Sequence, residues 1–408
     1  MIKAESATEN SELGAIPQNI AAAIRRAADE VVGGEFADQF PVDVFQTGSG
    51  TSTNMNMNEV LAQRASEIAG ETVHPNDHVN ASQSSNDTFP SAARIAAVLQ
   101  ITTTLLPALD SLRSSLVDLS KRHAATVKMA RTHLMDAVPM TFGQEVSGWA
   151  RSIELSSERI KSMLPRLAEL PLGGTAVGTG LNAPKEFAGN VARRVSSRTG
   201  FTFVEATNHF EAQSSQDALV EAGATLKVVA LSLHKIAGDL RLLGSGPSGG
   251  LGEIMLPALQ AGSSIMPGKV NPVIPEMVQQ VAAQVVGNDA AMTFASTMST
   301  LQLSTAMPII ARSLLSSIHL LSNATTLLDT RCIRGIEVDA DRMRRNAERS
   351  PAIVTALAPR IGYDAATKLV RQAEEKGVSL AELIDAHDGG TGSSQRVDAL
   401  LAMARPYD

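Results

Sequence analysis

Two long segments, 217–243 and 301–329, constrain the fold more than any other part of the chain. If each segment forms a helix, that helix is apolar around most of its circumference. Such a helix has to be buried on all sides. A third segment carries leucines at alternating spacings of four and three residues, which is typical of the seam of a helical bundle. That seam comprises Leu105, Leu109, Leu112, Leu116 and Leu119. We therefore predict an all-α fold with a central bundle of long helices, which neighbouring subunits help to cover.

Composition narrows the class of protein further. Aromatic residues make up 3% of the 408 residues, so the core must be aliphatic, which suits helix-on-helix packing. The net charge of −7 argues against broad binding of nucleic acid or of an anionic membrane. The single cysteine, Cys332, allows neither an internal disulfide nor a cysteine-type metal cluster, which fits a reducing compartment. No stretch approaches a membrane span and the first residues lack an apolar signal core, so we expect a cytoplasmic protein.

We expect an N-terminal domain over 1–81, a central helical-bundle domain over 82–338 and a small helical domain over 339–408. A change in pattern along the chain supports the boundary near 338. Beyond Arg331 the long apolar segments give way to short amphipathic ones. We predict helices there over Asp339–Arg349, Ala352–Pro359, Asp364–Lys376 and Arg396–Ala404. The glycine-rich stretch 388–394 predicts a flexible connector.

Two clusters of hydroxyl and amide side chains stand just before predicted helices. The first contains Ser49 and Thr51 and leads into a helix that ends near Gly70. The second runs from Ser82 to Thr88 and includes three consecutive donors, Ser84, Ser85 and Asn86. Helix N-termini have free N–H groups and a positive dipole end, so they attract anions. Ordinary N-caps or a capping box would explain one or two of these residues.

The third cluster is the loop Ala261–Glu276. Glycine and proline interrupt regular structure there, Pro272 can open a following helix, and Glu276 then falls in its first turn. The loop offers two hydroxyls, one ammonium group and one amide, from Ser263, Ser264, Lys269 and Asn271. Such a loop can close over a small anion, although a plain surface loop has a similar composition. The three clusters together describe a site for a small, multiply charged carboxylate, formed within one chain or between subunits.

Three other motifs are less specific. Arg131, Thr132 and His133 lie between helical segments, and a lone histidine is more often structural than catalytic. The turn 74–80 contains two histidines and an aspartate, but no HExxH pattern supports a metal site. The glycine-rich segment 173–180 lacks the GxGxxG spacing and the βαβ context of a dinucleotide site, so we interpret it as a close backbone approach or a tight turn.

The stretch Gly262-Ser-Ser-Ile-Met-Pro-Gly-Lys-Val-Asn-Pro272 resembles the signature of the fumarase/aspartase superfamily. Within it the chain is most similar to class II fumarases. The further resemblances are Gly48-Ser-Gly-Thr51, His74-Pro-Asn-Asp77, Arg131-Thr-His133 and Asn208-His-Phe-Glu-Ala-Gln213. Aspartate ammonia-lyases tend to have alanine at the position of Ser49 and glutamine at that of His133.

The resemblance implies reversible hydration of fumarate to (S)-malate through an aci-carboxylate carbanion, without a metal or organic cofactor. Ser263 would be the base, and His133, oriented by Glu276, would handle the water. The substrate-binding residues implied are Ser49, Gly50, Thr51, Ser84, Ser85, Asn86, Thr132, Ser264, Lys269, Val270 and Asn271. A second anion site would comprise His74, Pro75, Asn76 and Asp77. The resemblance also implies a homotetramer with a twenty-helix core and active sites that three subunits share.

Two features depart from the family pattern. Members normally extend further at the N-terminus, so we expect a truncated first domain. Gln302 and Ser304 stand where the family has glutamate and asparagine. Two rival functions are therefore weighed, an aspartate ammonia-lyase and a non-catalytic assembly protein. Ser49 and His133 disfavour the ammonia-lyase. The joint presence of Ser263, His133, Lys269 and Glu276 disfavours the assembly protein.

Overall fold

The computed structural model describes residues 1–350, 354, 358–378, 383, 395 and 397–399. Helices dominate, which confirms the predicted all-α class. They are α1 Ile2–Glu12, α2 Gln18–Val32, α3 Thr51–Ala69, α4 Ser85–Gln100, α5 Leu106–Arg122, α6 Phe142–Leu167, α7 Phe187–Thr199, α8 His209–Ser214, α9 Asp217–Leu243, α10 Val273–Ser296, α11 Met307–Arg331, α12 Ala340–Arg349, α13 Ala358–Ile361 and α14 Tyr363–Lys376.

Six short strands form three two-stranded sheets in this part of the chain. They are β1 Val127–Thr132, β2 Met135–Thr141, β3 Glu169–Leu170, β4 Val204–Glu205, β5 Ile254–Met255 and β6 Glu337–Val338. Strands β1 and β2 form an antiparallel hairpin, β3 pairs with β4 in parallel, and β5 pairs with β6 antiparallel. Thr132 and His133, two of the predicted site residues, lie at the tip of this hairpin.

The chain forms two compact units. Unit 1 contains 1–107, 156–231 and 281–323, and unit 2 contains 108–155, 232–280 and 324–408. Several boundaries fall inside long helices, so this grouping does not follow the sequential order of the three predicted domains. The division at 81 and 338 stays a prediction.

Local signals fixed the helix ends well. α2 ends before Gly33, and α3 ends at Gly70, whose φ of 70° is left-handed, as expected for a glycine after a helix. The core of the N-terminal part of unit 1 packs α1, α2 and α3 through small aliphatic side chains, among them Ala4, Ile20, Ile24, Ala27, Leu61 and Ala65. This aliphatic core agrees with the low aromatic content.

The seam leucines at 105, 109, 112, 116 and 119 are all fully buried, which confirms their place in the core. However, Ser85–Arg122 is a continuous helical stretch that is long and apolar enough to cross a membrane by composition. The expectation that no stretch approaches that limit was therefore wrong. The burial of the seam gives its apolar residues a role in the protein interior.

The long helices are not covered on all sides by their own chain. On α9, Leu231 is 51% exposed, and on α10, Phe294 is 69% exposed, with Val228 and Val286 also exposed. Burial of these helices on all sides was predicted to need neighbouring subunits, and it stays a prediction. Covering this much apolar surface would require a partner.

Beyond residue 338, α12 and α14 match two of the predicted short helices. The predicted helix Arg396–Ala404 and the connector 388–394 lie largely or wholly outside the described residues, as does most of Ala352–Pro359. Val354, Ala366 and Leu369 join a small core with Val127 and Met129 of the hairpin. The C-terminal segment thus helps to hold β1 in place.

Cys332 gives a simple test of this packing. The thiol is buried, and burial raises its pKa to about 12, so almost none of it is thiolate, the reactive form, at pH 8. We expect no reaction with a thiol reagent such as 5,5′-dithiobis(2-nitrobenzoate) in the native protein and one thiol per chain after denaturation. Rapid labelling of the native protein would contradict the burial.

Candidate active site

The first cluster is a tight turn that starts α3. Ser49 is buried, and its Oγ lies 2.7 Å from Oγ1 of Thr51. Gly50 is left-handed, with φ of 76°, and a Cβ there would lie 2.4 Å from the Phe89 ring. Only glycine fits both conditions. The turn is also held at Gly48, whose carbonyl accepts a 2.9 Å bond from the Met307 amide.

The second cluster forms the start of α4. Ser84 is its N-cap, and Ser84 and Asp87 form a capping box. Ser85 is buried and accepts a 3.0 Å hydrogen bond from Nδ2 of Asn54 in α3. Asn86 donates to the carbonyl of Ala176 at 2.8 Å. Unit 1 therefore brings the first two clusters together, and a cap accounts for Ser84 while Ser85 and Asn86 make long-range contacts.

Asp87 is a connecting residue that the sequence did not reveal. It is fully buried, and its carboxylate accepts hydrogen bonds from the amides of Ser84, Gly173 and Thr175 at 2.9–3.0 Å. Burial raises its pKa to about 6, against the opposing effect of these donors. The glycine-rich segment thus serves as a close backbone approach, as predicted.

Three further buried polar side chains belong to the same network of contacts. Gln213 donates to the Thr175 carbonyl at 2.7 Å and accepts from the Ser304 amide, through its own carbonyl, at 3.2 Å. Within the described chain, the side-chain oxygens of Thr175, Gln213 and Ser304 are buried without a protein partner. Buried groups of this kind need water or a ligand. Two of the three were identifiable from the sequence. Gln213 belongs to the family-like segment 208–213, and Ser304 departs from the family pattern.

His133 lies at the tip of the β1–β2 hairpin in unit 2. Thr132 pairs with Met135, so His133 and Leu134 form a two-residue turn, with φ values of 57° and 63°. Two positive φ values define a type I′ turn, which normally uses Asn-Gly. A leucine there is unusual and costs conformational energy. The turn exposes Thr132 and His133, so both side chains are available to a ligand.

A buried ion cluster fixes the base of this hairpin. Glu253 is 0% exposed, and its carboxylate lies 2.6 Å from Nη2 of Arg131 and 3.6 Å from Nζ of Lys128. Asn346 donates to the same carboxylate at 3.1 Å. Burial would raise the pKa of Glu253, but these partners outweigh it and hold the pKa below its ordinary value. Glu253 thereby fixes the residue two positions before His133.

The two ends of the signature loop lie close together. A Cβ at Gly262 would lie 2.0 Å from the Lys269 carbonyl oxygen, and Nδ2 of Asn271 donates to the Gly262 carbonyl at 2.7 Å. Gly262 therefore allows a close approach of the two loop ends, whereas Gly268, with φ of 79°, has open space around it. Of the two glycines, only Gly268 keeps the freedom expected of a hinge.

The hydroxyl of Ser263 receives two backbone hydrogen bonds. Its Oγ accepts from the amides of Ile265 at 3.1 Å and Met266 at 2.9 Å. The ammonium group of Lys269 has no hydrogen bond or ion pair with any residue the structure describes, and it is exposed. The loop thus presents a hydroxyl next to two N–H donors, with a cation available for an anionic ligand.

Comparison with known proteins identifies the family. The Lyase family model matches residues 1–287, and the Fumarase C C-terminus model matches residues 353–405. A class II fumarate hydratase of Mycobacterium tuberculosis (strain ATCC 25618 / H37Rv) is 51% identical over 385 residues, which cover 94% of this chain and 81% of the relative. This chain belongs to the class II fumarate hydratase family. Another member, from Pseudomonas putida, is 49% identical over 388 residues, 94% of this chain and 84% of the relative.

Solved structures agree with this family. A class II fumarase from Schistosoma mansoni superposes with a TM-score of 0.94 at 37% identity, over 100% of this chain and 90% of that one. A fumarate lyase:delta crystallin from Brucella melitensis, bound to cobalt, has a TM-score of 0.93 at 42% identity, over 99% and 89%. The fold is therefore that of the class II fumarases.

Glu276 and the second anion site complete the residues that the family resemblance implied. Glu276 lies in the first turn of α10, as predicted, 3.7 Å from Nη2 of Arg241. In the turn at 74–79, Nδ1 of His74 accepts from the amides of Asn76 and Asp77 at 3.3 and 3.1 Å. Oδ2 of Asp77 also lies 3.2 Å from this nitrogen. Groups of the turn itself therefore contact Nδ1, which leaves Nε2 as the ring nitrogen for an anion.

The structure does not join every member of the proposed site. The residues at 49–51 and 84–86 come together in unit 1. In unit 2, across the described residues, no hydrogen bond or ion pair links Thr132 or His133 to Ser263, Lys269 or Glu276. Their roles, and that of the second anion site, stay predictions.

Proposed function

We propose that this chain is a hydro-lyase that catalyses the reversible hydration of fumarate to (S)-malate. The observation that carries the proposal is the pair of amide N–H groups aimed at the Ser263 hydroxyl within the family signature loop. A serine hydroxyl is a weak acid, and it can act as a base only if its alkoxide is stabilised. Two N–H donors and a nearby ammonium group would provide that stabilisation.

In the dehydration direction, the Ser263 alkoxide takes the proton from C3 of malate. The electron pair passes into the adjacent carboxylate and forms the aci-carboxylate, whose added negative charge Lys269 and Asn271 would stabilise. The C2–O bond then breaks, and the hydroxyl takes up a proton delivered through His133 and leaves as water. The C2–C3 double bond of fumarate forms as the water leaves. Hydration is the reverse.

The remaining predicted residues would bind the two carboxylates and the hydroxyl. Ser49, Thr51, Ser85 and Asn86 lie at two adjacent helix starts, where N–H groups and the helix dipole favour anions. Thr132, Ser264 and the Val270 backbone would add further donors. No carboxylate other than the buried Asp87 belongs to the 49–51 and 84–88 clusters, which suits an anionic substrate.

We also propose a cytoplasmic homotetramer in which different subunits contribute Ser263 and His133 to one site. The exposed apolar side chains of α9 and α10, such as Leu231 and Phe294, support subunit packing along these helices. Sedimentation should give four times the 42.9 kDa chain mass. Mixing the two impaired homotetramers, Ser263→Ala and His133→Asn, should restore part of the activity, because some hybrid sites contain neither change. No recovery after verified subunit exchange would contradict shared sites.

The function is tested by incubating the protein with fumarate, with and without ammonia. We expect loss of the double-bond ultraviolet absorbance and formation of (S)-malate, independent of ammonia. Aspartate formed only with ammonia would instead establish the ammonia-lyase. No change in absorbance under either condition would favour the non-catalytic assembly protein.

Replacing His133 by asparagine should lower kcat by about 10²–10⁴-fold, the usual contribution of a general acid or base. KM should change much less, because binding depends on the other clusters. Steady-state kinetics checks this, with His319→Asn, an exposed histidine on α11, as the matched control. A rise in KM alone would make His133 a carboxylate ligand.

A further inference from the structure

Unit 2 contains a polar cavity whose lining includes none of the residues proposed for the reaction. Its volume is about 620 Å³, and it lies between one face of α12, the tip of the hairpin and the backbone at 248–251. The basic residues that line it are Arg131, Arg342, Arg345 and Arg349, and we call it the arginine pocket. Asn346 and Asp136 are also part of its wall.

The spacing of the arginines explains why they converge. Arg342, Arg345 and Arg349 are three and four residues apart on α12, which places them on one side of the helix. Like charges at such spacings destabilise a helix. A surface helix without a binding role more often alternates charge signs along one face. The three arginines on one side of α12 therefore destabilise the helix, and a bound anion would offset this effect.

The charges in the pocket are only partly neutralised. Nη1 of Arg342 is fixed by the Pro247 carbonyl at 2.7 Å, and its nearest acid, Asp339, is 3.7 Å away. Arg131 is paired with the buried Glu253. In the part of the chain that the structure describes, Arg345 and Arg349 have no hydrogen bond or ion pair. Asp136 is the one acid among the described residues that line the pocket, so these residues carry excess positive charge.

We propose that the arginine pocket binds a compact, phosphate-bearing anion with two or more negative charges. Guanidinium groups match the oxygens of phosphate in a two-bond geometry, and here one is held rigidly by backbone while two are available. The described lining contains no aromatic ring on which a nucleobase could stack. Recognition would therefore rest on the phosphate groups, whether the ligand is an inorganic diphosphate or an organic phosphate ester.

The test is isothermal titration calorimetry of the full chain with diphosphate, orthophosphate, glycerol 3-phosphate and citrate. A saturating equilibrium mixture of fumarate and malate is present throughout, because it occupies the carboxylate sites of the proposed function. The variant is Arg345→Gln with Arg349→Gln. The control, Lys121→Gln with Arg122→Gln, removes the same charge from the exposed end of α5.

We expect diphosphate to bind the wild type and the control alike, with Kd within about twofold, and the pocket variant to bind at least about tenfold more weakly. Binding of glycerol 3-phosphate tighter than that of orthophosphate would identify the organic ester as the source. Equal Kd values for both double variants, or no binding to the wild type, would overturn the proposal. Citrate binding as tightly as diphosphate would overturn the phosphate class. Because the readout is binding, a failed fumarate assay would leave this result interpretable.

Discussion

Replacing Ser263 with alanine is expected to lower kcat for fumarate hydration by about 10³-fold, within the range for loss of a general base. The hydroxyl accepts hydrogen bonds from the Ile265 and Met266 amides, and alanine removes the oxygen that would act as the base. The proposed tetramer should persist, because Ser263 lies in a loop and is not one of the buried residues of the core.

The informative comparison is the adjacent Ser264→Ala, which removes a hydroxyl of the same size from the same loop. We expect Ser264→Ala mainly to raise KM, because Ser264 is proposed to bind a carboxylate. Sedimentation and circular dichroism establish that both variants remain assembled and folded. Turnover of Ser263→Ala near that of the wild type would remove Ser263 from the role of base.

Replacing Glu253 with alanine is expected to lower the free energy of unfolding by about 3–5 kcal/mol, the usual cost of breaking a buried ion pair. The change leaves the largely buried Arg131 without its carboxylate partner. The buried Lys128 loses one of its two acidic neighbours and keeps Glu145. Denaturant titration at fixed protein concentration measures the loss. Glu154→Ala, which breaks an exposed pair with Arg151, should cost less than about 1 kcal/mol.

Glu253→Gln removes the charge of this side chain but keeps its shape, so it tests the contribution of the charge alone. The pKa of Glu253 is lowered in the folded state, so its charge stabilises the fold above the unfolded pKa of about 4.3 and this contribution is lost as pH falls through the folded pKa. The stability gap between the wild type and Glu253→Gln should therefore be widest near neutral pH and narrow in acid. A gap that does not change with pH would indicate a packing role alone.

Local patterns predicted much of this molecule because they depend on neighbours in sequence. The periodicity of apolar residues gave the helices, and glycine after a helix gave the ends of α2 and α3. The capping chemistry at Ser84 was also readable, since a cap involves residues two or three apart. The signature motif identified Ser263, but it did not identify which two amides donate hydrogen bonds to its hydroxyl.

Contacts between distant residues were not readable in this way. Asp87 holds amides 86 and 88 residues further along the chain, and Arg131 pairs with Glu253, 122 residues away. No local pattern specifies such partners, because packing of the whole chain brings them together. The type I′ turn at His133 and Leu134 was equally hidden, since neither residue is typical of that turn.

The sequence by itself therefore determined the all-α class, the helix ends, the family and the polar residues of the candidate site, because each depends on local chemistry or on a contiguous motif. Tertiary structure alone decided the rest. It paired the helix starts at Ser49 and Ser85, buried Glu253 beneath the hairpin, and gathered the arginines of α12 beside Arg131. It also left the apolar sides of α9 and α10 uncovered. These features depend on which surfaces meet once the chain has folded, and that outcome follows from burial and charge pairing over long sequence distances.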